Sequence, residues 1–395
     1  MTYIDRARGQ HDRLIAIRRD LHRHPELAFQ EVRTARRIAE TLHALGIEYE
    51  TEIAQTGVIA VIGKGTPCIA LRADMDALPI LEANDVEFRS QNIGVMHACG
   101  HDAHTTCLLG AAMLLNQDFA QGKLRGSVKM LFQPAEELYV TGRKSGGQLM
   151  VEEGVLDGVD AVVGLHVIGT LPANEVHLRA GPFMAAVDNF EGDVIGLGGH
   201  GAYPHEALDP VWLSAQVVNA THGIVARRMD PTKPSLISVC TVSGGNAMNI
   251  IPESVHLAGT IRCFDECVAQ QLHADLERAF AITRAWSGDY RLKITRGYPA
   301  TVNDAEMVHL VRQAAGAIVG AAQVKEAELQ MGGEDFSYMA RAKPGAFFFL
   351  GAQKDAIRRP LHSPIFDIDE AVLATGAACL AETACRFIEE RRKLN

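Results

Sequence analysis

With 395 residues the chain exceeds what one hydrophobic core usually supports, so two domains are expected. Hydrophobic residues at 47% and charged residues at 22% are those of a globular protein, and no uncharged apolar run reaches membrane-spanning length. The net charge of −10 disfavours nucleic acid or an anionic membrane as partner, and an anionic substrate would need a local cation.

The opening Met-Thr-Tyr-Ile-Asp-Arg-Ala-Arg has no apolar core of the secretory kind. Residues up to about Gly46 read as two helices, the second carrying Val32, Ala35, Ile38, Ala39, Leu42 and Leu45 at helical spacing. Apolar runs then alternate with helical patterns: Val58–Ile62, Cys68–Ala73, Val128–Phe132, Ala161–Leu165 and Ala346–Leu350, with helices over Thr105–Leu115 and Ser145–Glu153. Runs that are continuous rather than alternating are buried on both sides, so the fold class is α/β, a sheet covered by helices on both faces. Between about Asp188 and Gly297 the order is β-α-β-β-α-β: Gly192–Leu197, Pro210–Arg228, Leu236–Val242, Val255–Arg262, Glu266–Trp286 and Tyr290–Thr295. This order predicts an inserted ferredoxin-like α+β domain. The chain then returns to the first domain and ends in a helix over about Glu370–Leu394. The expected division is 1–182 with 300–395 for the larger domain and 183–299 for the insert.

The densest chemistry lies in His97-Ala-Cys99-Gly-His101-Asp102-Ala-His104, a composition suited to a transition metal. In open α/β sheets chemistry collects at the carboxyl ends of the strands. Cys68–Ala73 runs into Asp74-Met75-Asp76, Val128–Phe132 into Gln133-Pro134-Ala135-Glu136-Glu137, and Ala161–Leu165 into His166. Three strands thus bring carboxylates or imidazole to one edge, and His362 follows a fourth. Thiolate and imidazole suit zinc, cobalt or nickel, and carboxylates extend the choice to manganese. The other seven cysteines read as small buried hydrophobes and as reduced thiols, which points to the cytoplasm. Glu152-Glu153 reads as an exposed acidic pair. Gly196-Leu-Gly198-Gly-His-Gly201 matches a dinucleotide fingerprint, but Pro204 and Pro210 separate it from the next helix, so that reading is rejected.

The chain resembles the M20 metallopeptidase family, and within it the aminoacylase/hippurate hydrolase branch, M20D. The resemblance rests on Leu21-His-Arg-His-Pro-Glu-Leu27, Leu71-Arg-Ala-Asp-Met-Asp-Ala-Leu-Pro79, Met96-His-Ala-Cys-Gly-His-Asp-Ala-His104 and Phe132-Gln-Pro-Ala-Glu-Glu137. Gly164-Leu-His-Val167, Gly199-His-Gly-Ala-Tyr-Pro-His205, Asn249-Ile-Ile-Pro252, Gly259-Thr-Ile-Arg262, Gly333-Glu-Asp-Phe336 and Leu361-His-Ser-Pro364 extend it nearly end to end. It implies a zinc-peptidase-like catalytic domain with two divalent metal ions per subunit, Zn2+ or Mn2+, with Co2+ and Ni2+ also open. The implied ligands are Cys99, His101, Glu137, His166 and His362, with Cys99 bridging where other branches use aspartate. Glu136 would be the general base, Asp74 and Asp76 would orient ligands, and His200, Asn249 and Arg262 would meet the substrate from a lid.

The implied activity is hydrolysis of an N-acyl amino acid, with His200 helping to stabilise the oxyanion and Arg262 gripping the substrate carboxylate. A carboxypeptidase or dipeptidase on the same centre is the alternative; a non-catalytic metal protein and a Cys99 thiol hydrolase are weaker ones. The family's outer lid strands often pair across a dimer, which implies a homo-oligomer. Two departures from the family pattern, the 138–144 loop and Ile168-Gly169 after His166, flank the implied metals and leave the acyl group open.

Overall fold

Residues 1–138 and 142–394 are described in this computed structural model. Most of the atypical 138–144 loop, residues 139–141, therefore lies outside the described residues. The chain forms two compact units: Met1–Phe183, Val302–Glu328 and Asp335–Asn395 make one, and Met184–Thr301 with Leu329–Glu334 the other. The second unit thus runs two residues past the predicted insert and also takes in Leu329–Glu334.

The first unit is built on a mixed eight-stranded sheet. Its strands β1 (Glu48–Ile53), β2 (Gly57–Lys64), β3 (Cys68–Asp74), β4 (Gly126–Gln133), β5 (Ala161–Ile168) and β6 (Val176–Leu178) are joined by Val324–Glu326 and Gly345–Gly351. The order across the sheet is β1-β2-β4-β3-β5, then Gly345–Gly351, β6 and Val324–Glu326. β3, β4, β5 and Gly345–Gly351 are mutually parallel where they pair, so their carboxyl ends share one edge. Every residue of β3 and of Gly345–Gly351 is buried. Burial at successive positions means that both faces of the sheet are covered, as continuous apolar runs predict.

The amino-terminal segment folds as three helices rather than two: α1 (Tyr3–Arg8), α2 (His11–Arg23) and α3 (Val32–Ala44). Gly9 ends α1, which Thr2 and Asp5 open with a reciprocal capping box. Helix α4 (His101–Ala120) begins four residues before the predicted start, because its first turn carries polar groups that break the apolar period. Gly100 caps it at φ +92°, and a Cβ there would stand 2.4 Å from Val167 Cγ2. Only glycine meets both demands. Most of α4 is buried, including Leu108, Leu109 and Leu115, as befits a helix that is apolar nearly all round. It packs against β3 and the carboxyl-terminal helix Val372–Leu394. β5 extends three residues past its predicted end, so His166 stands inside the strand, opposite Phe349. Helices Ala305–Val319 and Phe336–Ala342 were not anticipated from the sequence.

The second unit contains Ala186–Ile195, Pro210–Arg228, Ser235–Ser243, Ser254–Cys263, Glu266–Ala281 and Asp289–Arg296, the predicted β-α-β-β-α-β order. Its antiparallel sheet runs Ser235–Ser243, Ser254–Cys263, Ala186–Ile195, Asp289–Arg296, the ferredoxin-like arrangement. Phe190, Leu213, Val217, Leu257, Leu272 and Phe280 form its separate core.

Candidate metal centre

At the shared carboxyl edge the first unit brings five predicted donors together. One donor atom each from Cys99, His101 and His166 lies within 4.8 Å of the others, and the same holds for Cys99, Glu137 and His362. Cys99 is common to both sets. Glu136 groups with His101 and Glu137 in the same sense.

The local fold aims these atoms. Asp76 Oδ1 lies 3.1 Å from His101 Nδ1, while its Oδ2 accepts the Glu137 N–H at 2.9 Å. His166 Nδ1 lies 2.8 Å from the Val167 carbonyl, which can only accept, so Nδ1 carries the proton and Nε2 is left 3.3 Å from Cys99 Sγ. The His362 N–H donates to the Ala98 carbonyl at 2.8 Å, tying its loop to the cysteine turn, and His362 Nε2 stands 3.1 Å from Glu137 Oε1. His104 is excluded as a ligand. Its Nε2 accepts the Val167 N–H at 2.8 Å, so its Nδ1 donates to Asp74 Oδ1 at 2.6 Å and both nitrogens are spent. Asp74 Oδ2 receives the guanidinium of the fully buried Arg72 at 2.7 Å, and Arg72 also reaches Gln133 and Asp335.

A metal ion fits this donor set. His101 Nε2 is buried, 3.8 Å from Asp74 Oδ2, and has no hydrogen-bond partner among the described residues. Burial, then Glu137, Glu136 and Asp74, push the Cys99 thiol well above its usual range. Burial opposes protonation of His101, yet Asp74 and Asp76 push it up to about 10. Protons therefore stand at the two positions where a cation would balance the buried carboxylates. His166 is held well below the ordinary imidazole value by burial and by His104, which keeps its lone pair available.

In the second unit, His200 and Asn249 are neighbours. His200 pairs with Ile250, and Gly201 N–H donates to the Asn249 carbonyl at 2.8 Å; both side chains are exposed. Arg262 stands on another ladder, opposite Leu236 and Val187, with its guanidinium on Thr260 Oγ1 and the Ile261 carbonyl. Gly196–Gly201 leads into a short ladder and a 3-10 turn. All eight cysteines are free, but Cys240 and Cys267 are exposed, correcting the expectation that all but Cys99 are buried hydrophobes. No described helix is long and apolar enough to cross a membrane.

Sequence reading missed the buried charges around the centre. Arg18 donates to Asp102 at 2.9 Å, and His22 lies 2.8 Å from the same oxygen and 3.2 Å from Glu82. The Leu21–Leu27 motif already held the signal, since histidine, arginine and glutamate clustered beside a proline are rarely needed for a surface helix end.

Residues 70–386 match the model of peptidase family M20/M25/M40. Thermostable carboxypeptidase 2 of Saccharolobus solfataricus is 42% identical over 385 residues, 95% of each chain. The N-acetyl-L-cysteine deacetylase of Bacillus subtilis is 39% identical over 386 residues, 96% of this chain and 89% of the relative. Among solved structures, the Bacillus subtilis YXEP protein, described as a dinuclear metal-binding peptidase of family M20, superposes with a TM-score of 0.84 at 35% identity, covering 97% of this chain and 99% of that one. Matches of this extent and identity leave one conclusion: the chain belongs to peptidase family M20/M25/M40, as a hydrolase of amide bonds.

Proposed function

We propose that this hydrolase removes the acyl group from an N-acyl amino acid, using two divalent metal ions held by Cys99, His101, Glu137, His166 and His362. The reading is carried by one observation, the sharing of Cys99 between two donor sets with the Glu136 carboxylate alongside. The donors favour zinc or manganese, with cobalt or nickel as substitutes. When bound, such ions supply Lewis acidity to the scissile carbonyl and to the attacking water.

Glu136 takes the proton from that water and returns it to the departing amine. Asp74 and Asp76 hold the imidazoles in orientation. In this reading residues 1–182 and 300–395 are the catalytic domain and residues 183–299 the lid and dimerisation domain. From it His200 stabilises the tetrahedral oxyanion, and Asn249 and Arg262 hold the substrate, the guanidinium gripping the carboxylate in two places. Strand Ser235–Ser243 is an edge strand whose last four residues are exposed, and it supports pairing of two lids in a homodimer. The free thiols fit a reducing cytoplasm.

The test is hydrolysis of a panel of N-acetyl and N-benzoyl amino acids set against dipeptides, with metal content measured on the same preparation. Preference for N-acyl amino acids with two ions per chain is expected. Preference for peptides would favour the second reading, a carboxypeptidase, which the 42% identity to a carboxypeptidase supports. Glu136→Gln should lower turnover by ~10²–10⁴-fold with metal retained.

A further inference from the structure

Glu31 stands at the N-cap position of α3, yet its side chain does not cap the helix. Glu26 does so instead, accepting the Arg33 and Thr34 N–H groups at 3.0 and 2.8 Å. Released from that duty, the Glu31 carboxylate is fully buried and turned elsewhere. Its Oε1 accepts the Ala135 N–H at 2.8 Å, and its Oε2 accepts the Thr56 hydroxyl at 2.6 Å.

Ala135 is an unusual place to anchor. It is a buried non-glycine residue at φ +49°, a conformation that needs external support. Its carbonyl accepts the Gly146 N–H at 3.1 Å, and Gly146 has no room for a Cβ, which would fall 1.7 Å from the Pro134 carbonyl oxygen. One residue further on begins the Glu136-Glu137 pair. The Glu137 N–H is held by Asp76. The backbone on either side of Glu136 is thus hung from two buried carboxylates, Glu31 before it and Asp76 after it.

We propose that Glu31 is a positioning residue for Glu136: by fixing the left-handed Ala135 it sets the direction in which the next side chain leaves the turn. The inference rests on the reading of Glu136 as the base. Burial and then the nearby Asp76 charge push Glu31 up to about 7, so the fold keeps this acid in an unfavourable setting where an apolar residue would pack more easily. A glutamine at this position preserves both contacts, since its amide oxygen accepts from Ala135 and its amide nitrogen donates to the rotatable Thr56 hydroxyl. Alanine removes them.

The experiment compares Glu31→Ala, Glu31→Gln, Glu136→Gln and the Glu31→Ala/Glu136→Gln double variant in the metal-loaded protein. Glu31→Ala should lower kcat by ~10²-fold, the scale of a misplaced catalytic group, with KM and metal content unchanged. Glu31→Gln should restore kcat, and the double variant should be no slower than Glu136→Gln alone. In the metal-free protein, hydrogen exchange of the 134–138 backbone should quicken in Glu31→Ala and not in Glu31→Gln. Unchanged turnover in Glu31→Ala, loss of metal in place of turnover, or multiplying effects in the double variant would each overturn the proposal. Parental turnover in Glu136→Gln alone would instead remove the base itself, a failure recognisable without reference to Glu31. Should Glu31→Ala not fold, Thr56→Val frees the other carboxylate oxygen and should lower kcat in the same sense; parental kcat there would count against the anchor.

Discussion

Asp76 and His101 meet at 3.1 Å through Oδ1 and Nδ1, and the opposite ring nitrogen of His101 is buried with no hydrogen-bond partner among the described residues. The same carboxylate holds the Glu137 backbone, so one side chain orients a donor from each set. Asp76→Asn should therefore weaken both sites together, by ~10–100-fold in metal affinity. Competition with a chromophoric chelator measures it, and loss confined to one of two ions would contradict the shared role.

Cys99 is the atom on which the two donor sets converge. Cobalt reconstitution of the parent should give a thiolate-to-cobalt absorption band, and Cys99→Ser should abolish it and lower the number of ions retained. Cys99→Asp, which places a carboxylate in the shared position, should recover stoichiometry without the band. A band persisting in Cys99→Ser would assign the thiolate elsewhere.

Metal uptake should release protons. Burial and the surrounding carboxylates hold the Cys99 thiol well above its usual range, and Asp74 and Asp76 outweigh burial to push His101 up to about 10. Near neutrality the metal-free protein holds both protons, and binding expels them. Apparent affinity should therefore rise with pH, roughly tenfold per proton for each unit. Calorimetry in buffers of different ionisation enthalpy counts the protons; affinity independent of pH between 6 and 8 would refute the assignment.

The buried central strands of the large sheet were readable to within a few residues because such strands announce themselves as unbroken apolar runs, whereas short or exposed strands such as Glu48–Ile53 and Val176–Leu178 were not. The donors were readable because thiol, imidazole and carboxylate recur where those runs stop. Buried charges were not. Arg72 looks like a surface residue until Asp335, 263 positions away, is folded against it. Glu31 and Arg18 are hidden for the same reason: a charge is buried only if its partner arrives, and the partner is remote in sequence. The start of α4 was missed because its first turn serves the site, so its polar side chains erase the period that marks a helix.

Arg18 makes a second class of test. It is fully buried against Asp102, Asp367 and Glu370, and Arg18→Met should destabilise the protein by about 3–5 kcal/mol by leaving those acids uncompensated. Burial would raise Asp102, but Arg18 and His22 hold it well below the usual carboxylate range. A depressed folded value stabilises at neutral pH and loses that contribution as pH falls below about 5. Urea unfolding of the metal-free protein should thus show stability falling between pH 6 and 3, with a shallower fall in Arg18→Met. Parallel pH profiles would show that the pair carries no such linkage.

The tie between the Ala98 carbonyl and the His362 N–H has a bearing on how the enzyme matures. Four of the five donors are synthesised within the first 166 positions, but the fifth arrives only at 362, and the helix that buttresses α4 comes later still. A chain emerging from the ribosome therefore lacks the complete proposed donor set until position 362 has been made. Uptake of both proposed ions would thus follow that last stretch of synthesis.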